Sequence, residues 1–321
     1  MEKRNIQKTG GSSFSLTLPK TWIVNNCLEN GGEVEIYTRN QKQLIIQPPK
    51  LVHSQSAILA IENLPDSHIY RELIGLYISG VDEINVTAKF ISYEQKSLVR
   101  LICSKLIGFE LFEESSNRIL LKNVASPTIT SKEYLNKMHQ IIRSMFDDMV
   151  KAVDNFDRNL AKDIIGRDIE IDRIHLMIFR QFNSILTTMV SENSTDISVI
   201  KLHYYELVGL RLERLADHIV KIAIMVSKLK DKQKIVLNKF EHAYLTKTSI
   251  YLDTLPSIIF NLDKQAAHEI LDIFDSRKDN DFIYRKIENV FSINILIRES
   301  VERIRSYVSN IAEETLNFFD S

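Results

Sequence analysis

From Lys132 to the end of the chain, apolar residues recur at helical spacing, and the stretch carries the same short signatures twice. Val153-Asp154-Asn155-Phe156-Asp157-Arg158-Asn159-Leu160-Ala161 returns as Ile259-Phe260-Asn261-Leu262-Asp263-Lys264-Gln265-Ala266-Ala267, and Leu212-Glu213-Arg214-Leu215 returns as Val301-Glu302-Arg303-Ile304. A repeat restricts the fold strongly, because a unit used twice must bury the same faces twice. Candidate N-caps at Asn155-Phe156-Asp157, Ser194-Thr195-Asp196, Lys230-Asp231 and Asn261-Leu262-Asp263 cut the stretch into roughly six helices. Helices joined by such short turns pack as up-and-down bundles. Two three-helix units are therefore expected, over 130–229 and 232–318.

Upstream the pattern changes at Pro48-Pro49 and again at Ser126-Pro127, which mark two domain boundaries. Thr130-Ser131 followed by Glu133 then reads as the start of the first bundle helix. Residues 1–48 read as strands: Ser13 to Leu18 alternates at period two, and Val34-Glu35-Ile36-Tyr37 and Leu44-Ile45-Ile46 follow turn signals. One short helix is expected between them, with Pro19 in its first turn and Trp22, Ile23 and Leu28 on its apolar face. Residues 51–125 alternate strand and helix as a small α/β sandwich, a spacer or dimerisation platform without a nucleophile beside a base or a glycine fingerprint. The fold class is thus mainly α with a small β and α+β N-terminal part.

Composition bounds the function. Nine Gly and six Pro among 321 residues, with 44% hydrophobic and 26% charged, describe a folded chain rich in helix. The net charge of -1 gives no global attraction to nucleic acid, so any such binding must be local. Residues 1–50 provide one patch, with seven Lys or Arg against four Glu, and Lys3, Arg4, Lys8 and Lys20 lie in its first part. Cys27 and Cys103 stand apart in apolar settings, which argues against a disulfide framework or a thiolate metal site. No apolar run approaches the roughly 18 residues needed to span a bilayer, and a cytoplasmic protein is expected.

Chemistry concentrates in two carboxylate pairs at i,i+4 spacing, Asp168 with Asp172 and Glu213 with Asp217. That spacing stacks each pair on one helix face, about 6 Å apart. Asp168 lies within the stripe Ile164, Ile171, Ile178, and Gly209, Ala216 and Ala223 offer a small-residue stripe for close helix contact. Four carboxylates at one seam repel unless cations or protons intervene. Oxygen ligands suit Mg, Ca or Mn, and a nearby imidazole, from His175 or His218, would suit Fe or Zn. Against this stand two simpler readings: solvated helix faces, or neutralisation by Arg214.

The run Asp157-x-x-Leu160-Ala161, Asp168-x-x-x-Asp172, then Leu212-Glu213-Arg214-Leu215-Ala216-Asp217-His218 with Ile222-Ala223 resembles the first repeat of PhoU phosphate-uptake regulators. Arg298-Glu299-Ser300-Val301-Glu302-Arg303-Ile304 with Ser309-Asn310-Ile311-Ala312-Glu313 resembles the second, and the resemblance spans about residues 130 to 318. It implies tandem three-helix bundles that bind metal through acidic motifs (Asp168, Asp172, Glu213, Asp217) and restrain phosphate transport and its signalling. The implied second site is degenerate: Glu302 is kept, Ser306 stands where an aspartate would follow, Arg305 replaces a small residue, and Asp275 and Asp279 are the candidate acidic pair.

The N-terminal stretch Ile6-Gln7-Lys8-Thr9-Gly10-Gly11-Ser12-Ser13-Phe14-Ser15-Leu16-Thr17-Leu18-Pro19-Lys20-x-Trp22 resembles an AbrB or SpoVT domain. Such domains interlock two hairpins into a swapped-hairpin dimer whose basic residues meet DNA, and their fusion to a PhoU-like bundle resembles archaeal regulators. Lys3, Arg4, Lys8 and Lys20 are the implied DNA contacts, doubled by a twofold homodimer. The expectation is a non-enzymatic, DNA-binding regulator of phosphate homeostasis with one or more metal ions (Fe, Zn, Mn or Mg). The alternative is a dimeric adaptor that does not bind DNA and docks on a phosphate transporter or sensor kinase. A carboxylate-bridged metalloenzyme fits less well, because the paired Glu-x-x-His motifs of di-iron bundles are missing.

Overall fold

The computed structural model describes residues 3–39, 43–49, 55–124, 129–188, 199–229, 237–275 and 293–319. These divide into two compact units, one ending before Gln55 and one holding the rest.

The first unit contains β1 (Gln7–Thr9), β2 (Ser13–Ser15), α1 (Lys20–Asn25), β3 (Glu35–Arg39) and β4 (Gln43–Gln47). β1 pairs antiparallel with β2 around a turn where Gly10 takes φ +73°, and β3 pairs antiparallel with β4. Each hairpin closes within the chain as its own two-stranded sheet. The alternating run from Ser13 is paired only to Ser15, because β1 offers three partners. Among the described residues of this unit no apolar side chain is buried; Ile6, Phe14, Val24, Ile36 and Leu44 are all exposed.

The second unit joins the expected α/β layer to the helices in one body. β5 (Ser56–Ala60), α2 (Asp66–Ile78), β6 (Glu83–Thr87), α3 (Tyr93–Lys105), β7 (Phe109–Glu114) and β8 (Arg118–Asn123) form a four-stranded sheet in the order β5-β6-β8-β7. β5 and β6 run parallel, as their connection through α2 requires, and the other pairings are antiparallel. Ile69, Leu73 and Tyr77 of α2 and Val99, Ile102 and Cys103 of α3 pack on Leu59, Ile84, Val86, Ile119 and Leu121.

Six described helices follow: α4 (Ser131–Asn155), α5 (Arg158–Thr188), α6 (Val199–Lys228), α7 (Lys239–Asn261), α8 (Lys264–Asp275) and α9 (Ile293–Phe319). The Thr130/Glu133 capping box opens α4 as its sequence predicts. α4 and α7 both end in left-handed residues, Phe156 (φ 57°) and Leu262 (φ 54°). The next residue in each case caps the following helix: Asp157 Oδ1 accepts from the Asn159 and Leu160 amides, and Asp263 Oδ1 from the Ala266 amide. The repeat seen in the sequence is therefore a repeat of backbone geometry. Ser194-Thr195-Asp196 and Lys230-Asp231 lie outside the described residues, and α7 opens on a capping box of Asn238 with Glu241 instead.

The α/β layer is fixed to α5 by a buried guanidinium. Arg180 donates to the Tyr77 and Val81 carbonyls, each at 2.7 Å, and to Asp82 Oδ1 at 2.7 Å, while its plane lies 5.1 and 5.2 Å from the Tyr77 and Phe109 rings. A cation at the C-terminal end of α2 satisfies carbonyls that the helix itself leaves open. Leu176 and Met177 of α5 complete the layer's apolar core.

Pro256 sits inside α7, where it has no N–H for the Leu252 carbonyl one turn back. That carbonyl is taken by His139 of α4, whose Nε2 donates across 2.8 Å in a buried setting. Burial holds the His139 imidazole below its ordinary pKa, with the Leu252 hydrogen bond opposing. His139→Leu should cost about 1–3 kcal/mol by leaving the carbonyl unpaired. Pro256→Ala in the same background should recover part of that loss, since residue 256 regains its amide. Urea denaturation of both variants checks this, and no recovery in the double variant refutes the pairing.

Candidate functional site

The seam between α5 and α6 is built from small residues. Gly209, Ala216 and Ala223 of α6 and Ile164, Ile171 and Ile178 of α5 are all buried in one core. A Cβ at Gly209 would stand 3.5 Å from Ile178 Cδ1 and 3.6 Å from Leu135 Cδ2, so α6 rests directly on α4 and α5 side chains there. Asp168 and Asp172 on α5 and Glu213 and Asp217 on α6 flank this contact. The four carboxylates that the sequence singles out lie on facing helices within electrostatic reach of one another.

Their electrostatics record the crowding. Burial, then the Asp172 and Asp217 charges, push the Asp168 carboxyl up to about 6. Burial and Asp217 push Glu213 up to about 7, with Asp172 and Asp168 adding and Arg214 opposing. Asp172 is also raised, by burial and Asp217, although it sits at the exposed rim. Glu213 Oε2 is shielded from water and accepts no hydrogen bond among the described residues.

Two cations lean on the cluster. Arg214 places Nε 3.4 Å from Glu213 Oε2 and donates from Nη1 to Asp217 Oδ2 at 3.2 Å, so neutralisation from within the chain is partly realised. Lys105, at the end of α3, lowers Asp172, and so the α/β layer contributes charge to the bundle's seam. No sequence signal announces Lys105, since its approach depends on how the layer docks. His175 is half-buried, and burial and Arg214 hold its imidazole below the ordinary value against Asp217. His218 turns toward α9, its ring 5.9 Å from Tyr307, and its buried Nδ1 has no hydrogen-bond partner among the described residues.

The donor set is all oxygen and carries surplus negative charge, which suits a hard cation. As placed, however, no three His, Cys, Asp or Glu side chains among the described residues converge closely enough to hold one ion. Arg214 supplies the positive charge in contact with the site.

In the second repeat, Glu302 is half-buried, and burial raises its carboxyl while Arg305 opposes. Asp275 closes α8; its side chain and the whole of Asp279 lie outside the described residues. Beyond the predicted residues, Arg211 joins α6 to Glu314 of α9 at 2.8 Å, a half-buried pair for which the sequence gives no spacing signal. In the N-terminal unit Lys3, Arg4, Lys8 and Lys20 are all exposed, and Arg4 donates from Nη1 to Thr17 Oγ1 at 3.1 Å.

Comparisons with known proteins agree on the helical part. Residues 135–226 match the family described as the PhoU domain. The crystal structure of PhoU from Pseudomonas aeruginosa is similar at 15% identity with a TM-score of 0.50, covering 59% of this chain and 95% of that one. The crystal structure of the phosphate transport system regulatory protein PhoU from Streptococcus pneumoniae shares 20% identity with a TM-score of 0.47, covering 59% and 93%. No curated protein matches the chain. At 15% identity the likeness shows the fold: the helices form a PhoU-like bundle.

A carboxyl whose folded pKa exceeds its unfolded value adds stability below the unfolded value and loses it as pH rises through the folded one. With Asp168 raised to about 6 and Glu213 to about 7, stability should fall between about pH 4 and pH 7. Glu213→Gln should stabilise the chain by about 1–2 kcal/mol at pH 8 and little at pH 4. Denaturation curves at both pH values decide the matter; an equal effect at each would mean that Glu213 is not protonated on folding.

Proposed function

We propose that the chain is a non-enzymatic, cytoplasmic regulator of phosphate uptake that works by docking on a phosphate-transport or signalling protein. The carrying observation is the PhoU domain match over residues 135–226, supported by the fold shared with the Pseudomonas aeruginosa protein. No helix among the described residues is long and apolar enough to cross a membrane, so contact with a transporter would be made from outside the bilayer.

The N-terminal unit acts in this reading as a homodimerisation module. A unit that buries no apolar side chain among its described residues while exposing Ile6, Phe14, Val24, Ile36 and Leu44 gains a core when a second copy interlocks with it. The resemblance to swapped-hairpin domains agrees. Docking requires no DNA contact from Lys3, Arg4, Lys8 or Lys20.

The acidic seam is the responsive element. A divalent cation would require the Asp168, Asp172, Glu213 and Asp217 side chains to draw together from the placement described above, and would then neutralise the charge that Arg214 only partly balances. Fe, Zn, Mn and Mg remain the candidates, with oxygen ligation favouring Mn or Mg.

Phosphate uptake measured in cells lacking the chain, then supplied with variants, separates these parts. Loss of the chain should derepress uptake several-fold. A Lys3/Arg4/Lys8/Lys20 quadruple Ala variant should restore control, whereas a protein lacking residues 1–54 should restore it poorly and run as a monomer in light scattering. If the quadruple variant fails while still dimeric, a DNA-binding regulator replaces the adaptor reading.

A further inference from the structure

The two repeats can be superposed in register by their caps. Asp157 and Asp263 open α5 and α8 from equivalent left-handed turns. Both helices then run unbroken to Asp168 (157 + 11) and to Phe274 (263 + 11). The counterpart of Asp168 is thus Phe274, one residue before the Asp275 that the motif spacing suggests. On the third helices, burial follows one pattern from Leu212 to Ile219 and from Val301 to Val308. This places Arg305 at the position of Ala216 and Ser306 at that of Asp217.

Arg305 is only 1% exposed. Its Cζ lies 4.0 Å from the centroid of Tyr244, 5.2 Å from that of Tyr251 and 5.3 Å from that of Phe274. The cap register pairs Tyr244 and Tyr251 with Met138 and Met145 of α4, which are fully buried. Between the repeats, an acid has become a ring, a methyl has become a guanidinium, and two thioethers have become two further rings. The exchanges are mutually dependent. A buried guanidinium needs π-faces to offset its lost water, and the rings need a flat cation to fill the space between them.

We propose that the second repeat carries its own cation: Arg305, held in the cage of Tyr244, Tyr251 and Phe274, supplies fixed positive charge one turn from Glu302 and closes that repeat to metal ions. The second repeat is then a fixed structural half, and ion response is confined to the first. Confinement rests on the proposed reading of the first seam; the caged cation does not. Glu302 keeps its carboxylate in a half-buried place one turn from Arg305, where the guanidinium's charge opposes the effect of burial.

Two measurements on the full chain separate the claims. Calorimetric titration with Mn²⁺ of wild type, Glu302→Gln and Asp168→Asn/Asp172→Asn should show that the first substitution leaves the stoichiometry unchanged and the double one abolishes binding. Loss of a Mn²⁺ site in Glu302→Gln overturns the proposal. If wild type binds no Mn²⁺, the reading of the first seam fails, and the cage is judged by melting temperature without metal. Arg305→Met should then melt several degrees lower, Arg305→Lys should fall in between, and adding Glu302→Gln to Arg305→Met should regain part of the loss. A double variant no more stable than Arg305→Met overturns the pairing. Should Arg305→Met not fold, recovery of folded protein in the double variant supports the proposal and its failure overturns it.

Discussion

The close approach of α5 to α6 governs the chemistry of this molecule. Gly209, Ala216 and Ala223 remove the bulk that would hold the helices apart, and burial of their backbones carries the neighbouring acids out of water with them. Like charges repel more strongly at a half-buried seam than in water, because the effective dielectric there is lower. The seam must therefore be neutralised by some means. Arg214 reaches both acids of α6 but stays largely exposed, so its attraction is weakened by solvent, and the raised Asp168 and Glu213 carboxyls keep their protons to higher pH than free carboxyls do.

The α/β layer takes part in that balance because it cannot move independently. Arg180 makes three hydrogen bonds of 2.7 Å to the end of α2 and the turn after it, beside the edge-to-face pair of Tyr77 and Phe109. Tyr77 adds its hydroxyl to the Ile107 carbonyl at 3.0 Å, which secures the segment just after Lys105. The sequence suggests a spacer or dimerisation platform; the docked layer also brings the charge of Lys105 within reach of Asp172, while the ammonium itself lies 5.7 Å from the Tyr70 ring centroid.

Local rules and burial periodicity made most of the fold legible in the sequence. The strands β6, β7 and β8, the helices α2 and α3, the Thr130 cap and the duplicated Asp157 and Asp263 caps all follow from short-range patterns, and the structure places them where those patterns lie. The four carboxylates were legible for the same reason, since i,i+4 spacing on a helix fixes a face. What the pattern could not supply was distance between elements. Lys105, Arg180 and the Arg211–Glu314 pair all act across more than sixty residues of chain or between separate layers, where spacing carries no information. The Asn238 cap was hidden differently: Lys230-Asp231 offered an earlier polar start, and only the reciprocal bonds of Asn238 and Glu241 identify the first turn.

Arg305 shows how a duplicated scaffold can diverge without losing its packing. The position demands burial in both repeats, and an arginine there is tolerable only if its charge is met within the core. Aromatic replacement of Met138, Met145 and Asp168 by Tyr244, Tyr251 and Phe274 supplies three π-faces, and the charge of Arg305 reaches Glu302 one turn away. The first repeat solves the same electrostatic problem with titratable groups and a surface arginine, so its balance shifts with pH and with any cation at hand. The second solves it with a cation that is part of the chain and fully buried among three rings. Two halves with one backbone plan thus differ in the single property on which a response to ions depends.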